Sequence, residues 1–134
     1  AISGVAAQDH HSVGTFLEAL SISPASIRLE HITRRLDSSG LAARCVRPEW
    51  KLAGRNELLA IHGAEYLEAV AALADRGGGQ IDSDTVVSPA SLDVARLAAG
   101  AVCDAVRRVV AGDDRTALCL VRPPGHHALA NRAM

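Results

Sequence analysis

Residues 117–121, Ala-Leu-Cys-Leu-Val, form a wholly apolar run that stops at Arg122-Pro123-Pro124-Gly125. A strand that is apolar at every position, and not at every second one, is suited to burial on both faces, as in a parallel sheet covered by helices. Two consecutive prolines remove two backbone donors and fix two φ angles, so the strand ends there and the next loop is held stiffly. Gly125 then allows a sharp turn, and His126-His127 follows it. In open α/β sheets ligands bind beyond the carboxyl ends of the strands, which is where this sequence places two imidazoles.

The remaining chain alternates helical and short extended patterns, which predicts an α/β fold. Ser23-Pro24 reads as a helix start, with Leu29, Ile32 and Leu36 as its apolar stripe and Gly40 as its stop. Residues 43–47 read as a short strand closed by Pro48. Helical spacing over residues 57–74 is divided by Gly63, and Gly77-Gly78-Gly79 follows as a loop. Ser88-Pro89 opens a helix to about residue 111, with Leu92, Ala95, Ala99, Val102, Val106 and Val109 on one side. Residues 1–22 hold no sustained period and read mostly as loop, leaving residues 23–134 as the α/β part.

Length and charge bound the partners. The chain has 134 residues, 14 Lys plus Arg against 15 Asp plus Glu, and a formal net charge of -1. That fits one compact domain or part of one, and it argues against nucleic acid, whose backbone calls for clustered cations. Hydrophobic residues make up 49%, but 25 of them are Ala, with one each of Phe, Trp, Tyr and Met, so the core is expected to be thin. Cys45, Cys103 and Cys119 are widely spaced and odd in number, which favours a reducing, cytoplasmic setting over a disulfide frame. No run approaches ~18 consecutive apolar residues and no signal-peptide pattern opens the chain, so no membrane span is expected.

An imidazole, with an ordinary pKa near ~6.5, can take and return a proton at neutral pH, so His126 and His127 are candidates for general acid-base catalysis. The plain alternative is a pair of surface-loop histidines. A metal site is a further option, but the sequence contains no HExxH or His-x-His to complete one, and His10-His11 is too poorly framed to count as ligands. Asp82 and Asp84 could bind a cation or accept hydrogen bonds from substrate amides, or simply belong to an acidic loop before a helix. His62 reads as a partly buried, hydrogen-bonded histidine, Arg28 as solvent-facing, and Cys119 as a small buried residue ill placed for a cysteine hydrolase.

Val121-Arg122-Pro123-Pro124-Gly125-His126-His127-Ala128 resembles the signature of the histone deacetylase superfamily, particularly its class II and bacterial acetylpolyamine-amidohydrolase-like branches. The resemblance runs back through Asp82-Ser83-Asp84-Thr85, the long helix at 95–100, His62 with Glu65-Tyr66-Leu67, and the helix at 28–40. It implies an arginase/deacetylase-type α/β fold, a mainly parallel sheet flanked by helices, here in its N-terminal part. It also implies zinc-dependent hydrolysis of an acetyl-amide, on acetyl-lysine or an acetylpolyamine. By resemblance His127 is the general base and acid and His126 its electrostatic partner. Asp84 is then the rim carboxylate for the substrate backbone, Gly125 the substrate-side turn, and Arg28 the arginine on the pocket floor associated with acetate departure.

Ile22-Ser23-Pro24 stands where the family usually carries His-Pro-Glu. The sequence ends at Met134, where the family continues toward its zinc ligands and oxyanion tyrosine. The expectation is therefore the first part of a single deacetylase domain, with no metal ligand of its own and no activity without the remainder, in the same or a second chain. The rival expectation is an inactive relative that acts as a ligand-binding or regulatory module.

Overall fold

The computed structural model describes residues 2–3, 24–83 and 85–133. It divides into two compact units, residues 1–49 with 105–120 and residues 50–104 with 121–134.

In the first unit, β1 (Ile2–Ser3) pairs in parallel with β2 (Cys45–Val46), in the register Ile2 to Cys45 and Ser3 to Val46. Part of the segment read as loop thus joins a sheet. Between the two strands, α1 (Pro24–Ser38) follows the predicted Ser-Pro start, and a 3-10 turn at Ala42–Arg44 leads directly into β2. The strand expected over 43–47 is therefore shorter, because the 3-10 turn takes its first two residues and Pro48 withholds a ladder donor.

In the second unit, α2 (Arg55–Leu59) and α3 (Ala64–Asp75) are separated at Gly63, as the sequence predicts. Glu57 caps α2 by accepting the Gly54 N–H on its carboxylate at 2.6 Å. Beyond α3, β3 (Gly79–Gln80) and β4 (Val86–Val87) pair antiparallel, and the Ile81 N–H donates to the Thr85 carbonyl at 2.9 Å. Asp82, Ser83 and Thr85 consequently belong to the tip of a hairpin.

The helix α4 (Ser91–Ala111) runs through both units. It starts two residues later than the Ser88-Pro89 pair suggests. Pro89 and Ala90 form a turn, while the Ser88 N–H donates to Ser91 Oγ at 2.8 Å and the Ser91 N–H to the Ser88 carbonyl at 3.0 Å. Its end is a Schellman motif: Gly112 has φ +82°, its N–H donates to the Val109 carbonyl and the Asp113 N–H to the Arg108 carbonyl. Arg108 Nε then donates to the buried Asp114 carboxylate at 2.7 Å. Asp114→Ala, which leaves that guanidinium without this acceptor, is expected to lower stability by about 1.5–3 kcal/mol, read from the urea unfolding midpoint.

A strap at residues 50–54 lies along α4 within the second unit. Trp50 Nε1 donates to the Leu97 carbonyl at 3.0 Å, the Ala53 N–H to the Arg96 carbonyl at 2.9 Å, and Arg96 Nε back to the Ala53 carbonyl at 3.2 Å. The approach is close because Gly100, facing the strap, has no side chain.

The apolar residues buried among those described are Ala53, Ala74, Val87 and Ala98, three of them alanines, in keeping with a thin interior. One expectation is met only in part and another needs correction. The described residues hold one parallel and one antiparallel pair of two-residue strands, which does not amount to a mainly parallel sheet among them. The run at 117–121 is not a strand buried on both faces: only Ala117 makes a bridge, Ala117 and Leu118 are exposed, and Cys119 to Val121 are half-buried. Its side chains suit two-sided burial, but the described residues supply no ladder along its length. For the same reason the far half of the α4 stripe stays open, with Val102, Val106 and Val109 exposed. No helix among the described residues is long and apolar enough to cross a membrane.

Candidate active site

The arm that follows the apolar run carries the two imidazoles on a single turn. Gly125 sits at φ +69°, a left-handed conformation open to glycine, and the Ala128 N–H donates to the Gly125 carbonyl at 3.0 Å. His126 and His127 are therefore the two corner residues of a four-residue turn, which brings their side chains out beside each other. Their ring centroids lie 4.1 Å apart with the planes tilted by 48°. Both are exposed, and among the described residues neither ring has a hydrogen-bond partner. Two adjacent imidazoles open to an incoming molecule can accept, hold and pass on a proton.

Behind the turn the chain folds back on itself. The Leu129 N–H donates to the Arg132 carbonyl at 2.9 Å, closing a small loop around Ala130 and Asn131. Two groups in the α2–α3 junction hold that loop. His62 Nδ1 lies 3.0 Å from the Leu129 carbonyl, and the Gly63 N–H donates to the Ala130 carbonyl at 2.9 Å. Since a carbonyl only accepts, His62 must donate from Nδ1. The His62 ring also rests against Tyr66, centroids 5.3 Å apart, and burial pushes the Tyr66 hydroxyl up from its ordinary pKa. His62 is thus the partly buried, bonded histidine expected from its helical setting. No sequence pattern marks the loop at 129–132, because neither Leu129 nor Arg132 belongs to a periodic run.

The other residues singled out from the sequence are placed less fully. Arg28 is exposed on α1, in the unit that does not contain the histidine turn. Asp84 lies outside the described residues, as do His10 and His11, while Asp82 sits half-buried at the hairpin tip. No three His, Cys, Asp or Glu residues among those described come together to hold a metal ion, so the described residues alone do not make up a zinc site.

Cys45, Cys103 and Cys119 form no disulfide. Burial pushes the Cys119 thiol up from its ordinary value, which reduces the thiolate present at neutral pH. Alkylation of Cys119 by iodoacetamide at pH 7.5 is accordingly expected to run slower than that of a free cysteine, and to accelerate as pH rises past the ordinary thiol range, as followed by peptide mass mapping.

The arm thus presents two histidines side by side on one turn. Residues 24–134 match the histone deacetylase domain. The histone deacetylase-like amidohydrolase of Pseudomonas aeruginosa is 44% identical over 99 residues, 74% of this chain and 26% of that protein. A probable deacetylase of Methanothermobacter thermautotrophicus is 39% identical over 107 residues, 80% of this chain and 31% of that protein. The human polyamine deacetylase HDAC10 is 37% identical over 107 residues, covering 75% of this chain and 16% of that protein. The crystal structure of the HDA15 HD domain superposes with a TM-score of 0.75 at 33% identity, covering 80% of this chain and 31% of that one. The chain belongs to the histone deacetylase family, and it spans about a quarter to a third of the length of the first curated relatives it matches.

Proposed function

We propose that this chain is part of a zinc-dependent deacetylase that hydrolyses an acetyl-amide, and that His126 and His127 move the protons of that reaction. The observation that carries the reading is the side-by-side presentation of the two imidazoles on the Pro-Pro-Gly arm, in a chain whose relatives are named deacetylases and amidohydrolases. His127 is the general base that takes a proton from the attacking water and returns it to the leaving amine. His126, 4.1 Å away, is the neighbour whose charge steadies that exchange. Zinc is the cofactor in this reading, with ligands from residues outside this chain.

The substrate is an acetylated lysine or an acetylated polyamine; HDAC10, 37% identical, is named for the second kind. Asp84 accepts hydrogen bonds from the substrate, Gly125 lets the substrate approach the arm's backbone, and Arg28 attracts the departing acetate. These three assignments rest on the resemblance. A reducing cytoplasm is the proposed setting, consistent with three cysteines in no disulfide.

The test titrates the complete protein with an acetyl-lysine peptide and with N-acetylputrescine in a calorimeter, then measures acetate in the same samples by proton NMR. Binding followed by acetate release supports the deacetylase. Binding of either compound with no acetate, from zinc-loaded protein, supports the rival module instead.

A further inference from the structure

We infer that His62 is a positioning residue for the histidine pair, acting through the backbone of the loop at 129–132. The inference rests on the proposed role of His126 and His127, and it adds to that role what aims them.

Because neither imidazole of the pair has a hydrogen-bond partner among the described residues, the conformation of their loop sets where they point. On the upstream side the loop is tied by the turn from Gly125 to Ala128. Downstream it is tied at Leu129, two residues beyond His127. There the N–H donates to the Arg132 carbonyl and the carbonyl accepts from His62 Nδ1 at 3.0 Å. Both polar groups of that one peptide position are therefore engaged, and the His62 bond fixes it to the α2–α3 junction rather than to the loop itself.

The adjoining Gly63 N–H to Ala130 carbonyl bond, 2.9 Å, makes a second attachment beside the first. A side chain at 63 would meet only the end of the Asn131 side chain, which can swing aside, while the Ala130 carbonyl would lie at an ordinary 3.8 Å, so the attachment here is carried by the two hydrogen bonds. The His62 ring is itself steadied by Tyr66 one helical turn on. The bond asks for a particular proton: Nδ1 has to carry it, which leaves Nε2 as the acceptor nitrogen of the neutral ring.

Asparagine is the informative replacement, since its amide nitrogen reaches about where Nδ1 lies and donates. Aspartate has the same shape with no donor and sets a carboxylate against the Leu129 carbonyl. The experiment uses the complete zinc-loaded protein with 15N-labelled histidine, as wild type, His62→Ala, His62→Asn and His62→Asp.

In the wild type the His62 ring should show the Nδ1-protonated tautomer. The ring resonances of His126 and His127 should shift in His62→Ala and His62→Asp and return toward wild type in His62→Asn. Displacing a catalytic group without removing it affects turnover more than substrate binding. For acetyl-lysine peptide, kcat should therefore fall about tenfold or more in the Ala and Asp variants, with KM within about twofold and zinc content unchanged, and recover to within about threefold in the Asn variant.

An unchanged pair of ring signals in His62→Ala overturns the inference, as does an Asn variant as impaired as the Asp variant. If His62→Ala does not fold, the comparison of Asn with Asp decides alone. If the wild type releases no acetate at all, the reading of the pair as catalytic fails, while the ring resonances still decide whether His62 positions it.

Discussion

In the complete protein, His127→Ala is expected to lower turnover of an acetylated substrate by about two to four orders of magnitude, the usual contribution of a positioned general acid or base. The expectation follows from the turn geometry. As a corner residue of the Gly125–Ala128 turn, His127 has an exposed ring with no hydrogen-bond partner among the described residues, so its replacement takes away a proton carrier without removing a structural tie. Stability should therefore stay within about 0.5 kcal/mol of wild type, as for other surface substitutions away from structural features, and the loss should appear in kcat. His126→Ala leaves the base in place and removes only its neighbour 4.1 Å away, so it should cost less. Steady-state kinetics on both variants check this, and near-normal turnover in His127→Ala would remove the pair from the mechanism.

The second large effect concerns folding. In most helix interiors Gly→Ala stabilises by about 1 kcal/mol, because glycine gives up more backbone freedom on folding. Gly100→Ala should do the reverse and lower stability by about 1–3 kcal/mol, the range for forcing atoms into packed space. A methyl group there would run into the Lys51 carbonyl oxygen and lie 2.9 Å from the Ala53 nitrogen. These are backbone atoms, and they cannot swing aside as the end of a side chain could. Retreat of the strap would stretch the bonds from Trp50 to Leu97 and between Ala53 and Arg96. Gly112→Ala is a useful contrast, since nothing lies within 4 Å and only the strain of φ +82° is felt, about 1–2 kcal/mol. Urea unfolding distinguishes these outcomes, and a Gly100→Ala protein as stable as wild type would show that the strap is not held against the helix.

The helices were the most legible part of the chain. Ser23-Pro24 marks the start of α1, Gly63 divides α2 from α3, and the glycine after α4 closes a Schellman motif, all devices that act within a few residues. Strands were harder to place because a ladder needs a partner from elsewhere in the chain. The run at 117–121 has the composition of an inner strand, yet among the described residues only Ala117 makes a bridge. Conversely Ile2–Ser3, with no periodic pattern around it, pairs with Cys45–Val46.

At the site, the histidine pair and the glycine before it were legible because Pro-Pro-Gly dictates a stiff arm and a turn. The attachment of that arm to His62 and Gly63 was not. It joins the His62 side chain and the Gly63 N–H to backbone carbonyls more than 60 residues away in sequence, and carbonyl partners leave no trace in side-chain chemistry.

In the proposed reaction water cleaves an acetyl-amide. The decisive experiment runs the complete zinc-loaded protein on an acetyl-lysine peptide in 18O-labelled water and weighs the acetate by mass spectrometry. One labelled oxygen is expected in each acetate, with one free lysine amine for every acetate formed. Acetate without label, transfer of the acetyl group to another molecule, or no product from either an acetyl-lysine peptide or N-acetylputrescine would contradict it.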